Sequence, residues 1–290
     1  MQSSKTTRYQ LADNGYAITG SREIFNRTLY GSHANDDLPE KYFTFAGDAP
    51  LFMGTVSDYS KHTACHYSKC GTLMSGLALT PGGKNPHFYS NDIDTSSRWF
   101  HQCTDIEAVF RNGWMEYRLS QFSPWFPDVK VEIQAFPLLP ENGFLVHYRI
   151  KTDQRVIFCA GLGGMTGFIG RFEYYEEPTR NFTASDCQEN SVVCDENRAL
   201  IKDEQGQTIS IGASFPVQTE IGDAAAMQSE PPGMFIGKKA EEGALQTVKM
   251  SSVINAGETL DGFLVVIRND RKNALEGWLK HDNPVSELKS

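Results

Sequence analysis

An all-β fold, one large antiparallel β-sandwich with a short C-terminal helix, is what this 290-residue sequence predicts. Three observations carry that expectation. Apolar and polar residues alternate with period two through most of the chain, as in half-buried strands. The alternating runs are rich in Val, Ile, Phe, Tyr and Thr, which suit a pleated surface. Two of the runs double back at Asn-Gly, a strong hairpin signal.

Taken in order, residues 42–58 (YFTFAGDAPLFMGTVSD) read as two strands about a Gly-Asp turn, and 71–83 as a strand ending in Pro-Gly-Gly. Residues 106–122 are a hairpin with Asn112-Gly113 at its tip. Residues 129–139 and 144–152 are a second hairpin about Glu141-Asn142-Gly143. Strands over 154–164, 208–215, 245–254 and 263–269 continue the series. Residues 220–244 read as a long excursion between strands, and NALEGWLK (273–280) is the best helix candidate. Many strands with tight turns imply packed antiparallel sheets. The predicted organisation is a sandwich over 1–270 and a helical linker over 271–290.

Composition narrows the function. A net charge of −9 with no basic stripe argues against nucleic-acid binding. No apolar run approaches the ~20 residues of a membrane helix, and the polar start is not a signal peptide. Six cysteines in a chain this long are too few for a disulfide scaffold. Cys159, within VIFCAG, reads as a buried thiol. Cys187 and Cys194, flanking CQENSVVC, can bridge across a turn in an oxidising compartment.

KHTACHYSKCG (61–71) gathers His62, Cys65, His66 and Cys70. The two histidines have the spacing of a helical zinc motif, but no helical pattern surrounds them and Thr63 stands where a general-base Glu belongs. The thiols lack the C-x-x-C spacing of a redox pair. The stretch therefore reads as a polar loop entering a strand, with no metal and no cofactor. GLGGMTG (161–167) lacks the third glycine of a dinucleotide loop and no amphipathic helix follows. Gly161, Gly163, Gly164 and Gly167 read as a loop with close backbone approach, able to lie beside a neighbouring domain. Tyr89, Trp99, Trp114 and Trp125 are candidate platforms for sugar faces, against the commoner role of Trp in core packing. Asp92 and Asp94 beside Arg98 are a carboxylate pair, as in glycosidases, or a solvated loop. No nucleophile–base–orienter set emerges, so no catalytic residue is assigned.

Longer phrases accumulate beyond these motifs: FNRTLYGSHANDDLPEKYFTFAGDAPLFMG (25–54), CGTLMSGLALTPGG (70–83), DIDTSSRWFH (92–101), NGWMEYRLSQFSPWFPDVKVE (112–132) and LLPENGFLVHYRIKTDQRVIF (138–158). Together they resemble the N-terminal region of large secreted proteins of gut Bacteroidetes, a domain of unknown function ahead of a six-hairpin (α/α)-barrel glycosidase domain. The resemblance implies a supersandwich-like module that packs on a C-terminal helical barrel of the same polypeptide and shapes its active-site rim. It implies a periplasmic, cell-surface or secreted location, and catalytic carboxylates on the barrel rather than here. Two other readings stand beside it. One is a stand-alone carbohydrate-binding module that takes up oligo- or polysaccharide. The other is a sandwich-fold carbohydrate-active enzyme drawing on His33, His62, His66, His87 or His101.

Overall fold

A computed structural model describes residues 8–12, 15–21, 42–44, 53–55, 65–68, 71–82, 96–100, 105–111, 114–120, 125–138, 143–163, 184–203, 206–270 and 273–289. The first nine strands are β1 (Arg8–Ala12), β2 (Gly15–Ser21), β3 (Tyr42–Thr44), β4 (Met53–Thr55), β5 (Cys65–Ser68), β6 (Gly71–Ala78), β7 (Ser97–Trp99), β8 (Asp105–Arg111) and β9 (Trp114–Ser120). The second nine are β10 (Lys130–Leu138), β11 (Gly143–Lys151), β12 (Val156–Gly163), β13 (Ser191–Asp195), β14 (Arg198–Lys202), β15 (Thr208–Ala213), β16 (Gln218–Asp223), β17 (Gln246–Ile254) and β18 (Thr259–Arg268). The described residues also form four short α-helices, α1 (Ala224–Ser229) and α2 (Pro232–Gly237) between β16 and β17, and α3 (Ala274–Leu279) and α4 (Pro284–Lys289) after β18, with a 3-10 turn at Ala184–Cys187.

Among the described residues the strands form two antiparallel sheets. One runs β1-β2-β8-β9-β10-β11-β18-β15-β14-β13. The other runs β16-β17-β12-β6-β5-β4-β3, with β7 paired to β6. The all-β sandwich is therefore present, and the hairpin registers agree with the sequence. Arg111 pairs with Trp114, the two residues that flank Asn112-Gly113 in the sequence. Leu138 pairs with Gly143 across the second turn.

The main core lies between the sheets. Val131, Ile133, Phe144, Val146, Tyr148, Leu264 and Val266 face Leu73, Leu77, Phe158, Leu162, Val248 and Met250. Alternation alone would leave each sheet one wet face, yet both outer faces are partly covered. On the second sheet, α1 and α2 bury Met74, Ile157 and Cys159 beneath Met227 and Phe235. This explains why all eight residues of β12 are buried. On the first sheet, Phe136, Leu145, Val265 and Ile267 lie beneath Leu275, Trp278, Leu279, Val285 and Leu288 of α3 and α4. Both helices belong to the segment expected to be a linker, and both pack on this sheet.

Residues 220–244 are more ordered than an excursion. Strand β16 closes the sheet edge on β17, and Asp223 caps α1 by accepting a hydrogen bond from the Ala225 N–H. Asp223 also pairs with Lys238 at 3.1 Å, joining the start of α1 to the end of α2. From β17, the buried Lys249 ammonium donates to the carbonyls of Ile236 and Lys238 and pairs with Glu220. It caps the C-terminal end of α2, where a cation is favoured. These partners are distant or charged, so no apolar periodicity announced them.

KHTACHYSKCG also contains more than a loop, for Cys65–Ser68 is β5 and turns at Ser68–Gly71 into β6. Gly71 has φ +86, and a Cβ there would come within 2.5 Å of the Gly163 carbonyl oxygen. Both constraints require glycine. His62 and Cys70 lie outside the described residues.

Candidate functional site

Three neighbouring strands, β10, β11 and β18, set two polar rows on the outer face of the first sheet. In one row Gln134 pairs with His147, which pairs with Phe263. In the next, Glu132 pairs with Arg149, which pairs with Asp261. The adjoining row, Phe136–Leu145–Val265, is apolar and lies beneath the C-terminal helices. The outer face thus changes from core to solvent within one two-residue step. A cavity of about 330 Å³ opens at that boundary, with the two polar rows as floor. Asp282, Asn283, Val285 and Lys289 form one wall, and Ser214 closes the side toward β15.

Asp261 organises the floor. Its Oδ1 lies 2.6 Å from His147 Nε2, and its Oδ2 accepts from Arg149 Nε at 3.0 Å and from a terminal guanidinium nitrogen at 2.8 Å. The His147 side chain is 14% exposed and that of Asp261 44%. Burial lowers the His147 pKa, and the charges of Arg149 and Lys289 add to this. The hydrogen bond and charge of Asp261 oppose it without reversing it. Burial pushes Asp261 up, but the hydrogen bonds from Arg149 and His147, with their charges, hold its carboxyl below the ordinary value. Near neutral pH the pair is a neutral imidazole donating Nε2–H to a carboxylate that Arg149 already clasps.

This chemistry can hold hydroxyl-rich ligands but is poorly arranged for glycoside hydrolysis. A catalytic acid needs a raised pKa, whereas Asp261 is ionised with both oxygens engaged. Among the described residues, no group of three His, Cys, Asp or Glu side chains could hold a metal ion. None of the described helices is long and apolar enough to cross a membrane.

The residues singled out from the sequence do not converge here. Trp99 is 2% exposed, packs on Phe235 and donates its indole N–H to the Glu230 carbonyl. The sugar-platform expectation for it is corrected: burial leaves it no free face. Trp114 is half-buried, stacks on Phe136 at 5.1 Å, and carries the Lys289 ammonium 5.2 Å from its ring centroid. Trp125 is half-buried against the main core. Tyr89 lies outside the described residues, as do Gly164 and Gly167. Gly161 and Gly163 belong to the strand expected over 154–164 and not to the loop expected over 161–167: they are buried residues of β12, paired with Met74 and Thr72. Their lack of side chains admits neighbouring atoms: Phe235 and Met227 crowd Gly161, and the Gly163 carbonyl abuts Gly71.

Cys187 and Cys194 are not joined in a disulfide, so the bridge their spacing allowed is not formed. Cys187 is buried in the cluster beneath α1 and α2, while Cys194 on β13 packs against the main core. Cys159 is buried as expected, and burial pushes its thiol pKa up. Of the histidines the sequence offered, His33, His62, His87 and His101 lie outside the described residues, and His66 sits on β5.

Sequence reasoning did not find His147, Arg149 and Asp261. Their only local signal is polar alternation in FLVHYRIK and TLDGF, the ordinary mark of a solvated face. His147 and Asp261 are 114 residues apart.

Comparisons add no assignment. No family model and no curated protein matches the sequence. The chain is similar in structure to heparan sulfate lyase HepC from Pedobacter heparinus, at 12% identity and a TM-score of 0.42, over 87% of this chain and 40% of that one. It is similar to a bacterial glucoamylase complexed with acarbose, at 7% identity and a TM-score of 0.43, over 87% of this chain and 37% of that one. It is also similar to a 4-alpha-glucanotransferase from Thermococcus litoralis, at 11% identity and a TM-score of 0.36, over 92% of this chain and 38% of that one. The chain thus spans less than half the length of each. At these identities and TM-scores the likenesses assign neither family nor activity.

Proposed function

We propose that this chain is a non-catalytic β-sandwich module of a carbohydrate-degrading protein, periplasmic or secreted, that packs against a helical barrel of the same polypeptide. The observation that carries the non-catalytic reading is the state of Asp261. It is the carboxylate at the centre of the polar cavity, yet His147 and Arg149 occupy both its oxygens and keep it ionised. It has no proton to give a leaving group, and the residues around it fit holding better than cleaving. The carbohydrate context rests on the phrase resemblance between residues 25 and 158. Val193 and Leu200, exposed register partners near the sheet edge, offer apolar ground for a neighbouring domain.

The test is an assay of the isolated chain for new reducing ends on a panel of neutral and acidic polysaccharides. No release is expected. Turnover at ordinary enzymatic rates, roughly 1–10³ s⁻¹, abolished by His147→Ala, would overturn the reading.

A further inference from the structure

We infer that the cavity on the outer face of β10, β11 and β18 binds one neutral, pyranose-sized sugar residue. The inference takes its ligand class from the carbohydrate reading above and is otherwise argued from the cavity.

Size comes first. The cavity of about 330 Å³ lies at the low end of small-molecule sites. At ~30 Å³ per water it holds about eleven waters, more than enough room for the roughly one dozen heavy atoms of a hexose, which are bonded and so packed more closely than waters. A chain end or a single branch residue fits, and a long oligosaccharide does not.

Charge narrows the class. Glu132, Asp261 and Asp282 bring three carboxylates, Arg149 and Lys289 two cations, and neutral His147 none. The lining therefore carries a small negative excess, which disfavours uronates and sulfated sugars. The absence of a metal-ligating group among the described residues disfavours a cation. Phe263 is largely buried, so little flat apolar surface is left for a hydrophobic ligand.

Hydrogen-bonding capacity decides it. A sugar hydroxyl both donates and accepts, and it is best met by alternating acceptors and donors. Glu132 offers acceptors, the Gln134 and Asn283 amides offer both, and Arg149 offers donors. Asp261 acts one step back, fixing the orientation of Arg149 and His147. These floor groups stand on central strands rather than on loops, so their spacing is set before a ligand arrives.

The experiment uses the whole chain with glucose, galactose, mannose, xylose and arabinose, and glucuronate as the acidic counterpart. Binding is read by saturation-transfer NMR and calorimetry. At least one neutral sugar is expected to bind. Glu132→Ala and Asp261→Asn are each expected to weaken it by roughly tenfold or more, with Lys202→Gln on distant β14 as the neutral control. Circular dichroism and urea midpoints establish that the variants are folded. No binding by any sugar, binding confined to glucuronate, or binding unchanged in both folded variants overturns the inference. Reducing-end release is assayed in parallel and bears on the module reading alone, so the two failures remain distinct.

Discussion

The ring of Phe235 rests on Gly161: a Cβ added at Gly161 would lie 3.0 Å from Phe235 Cε1 and 3.0 Å from Met227 Sδ. Gly222 on β16 meets the other edge of the ring at the same distance. Two glycines on different strands thus form a socket that seats α2 against the second sheet. Phe235 is fully buried there, with the Trp99 ring 5.9 Å away.

Gly161→Ala should therefore destabilise by about 1–3 kcal/mol, as overpacking of a filled core does. Phe235→Leu should cost stability alone, yet part of the Gly161→Ala penalty should vanish when the two are combined. Urea denaturation of the four-protein cycle checks this. Strict additivity would mean that the two residues do not share the contact.

Trp99→Ala should lower stability by about 3–5 kcal/mol. It removes a buried ring and leaves the Glu230 carbonyl without its indole donor. Denaturant midpoints measure the loss. A near-neutral variant would restore Trp99 as a surface residue.

The pH dependence follows from His147 and Asp261, both with lowered pKa values. Between each folded pKa and its ordinary value the unfolded chain binds more protons, so stability falls as pH drops. For His147, which faces Asp261, Arg149 and Lys289, the loss begins below about 6.5 and is complete below its folded pKa. For Asp261 it begins below 3.8 and is modest, at most about 1 kcal/mol, because the pair is part exposed. Urea midpoints followed from neutral pH to about pH 5 should decline less in His147→Gln than in the parent. Equal slopes would remove His147 as the cause.

Cys187 and Cys194 should both alkylate without prior reduction. No Lys or Arg separates them, so they share the tryptic peptide 181–198. Denatured without reductant, that peptide should gain two alkyl groups. A peptide that takes none would mean they are bridged. In the native protein Cys194 should react before the buried Cys187.

Local pattern was enough for the strands and their hairpins. Alternation in 129–152 placed β10 and β11, and Asn112-Gly113 placed a turn, because side-chain direction in a strand depends only on parity along the chain. The same parity names His147 and Arg149 as outward-facing, and stops there. Whether an outward face meets water or another layer depends on what returns to cover it. Phe136 and Leu145 are capped by α3 and α4 from the far end of the chain, while Glu132 and Arg149, one step along the same strands, are left at the cavity. Gly161 reads as loop because glycine is permissive in isolation; its role as a socket exists only once Phe235 is brought to it. The cavity, like the socket, joins residues more than a hundred positions apart, and only long-range strand pairing could bring His147 and Arg149 to Asp261.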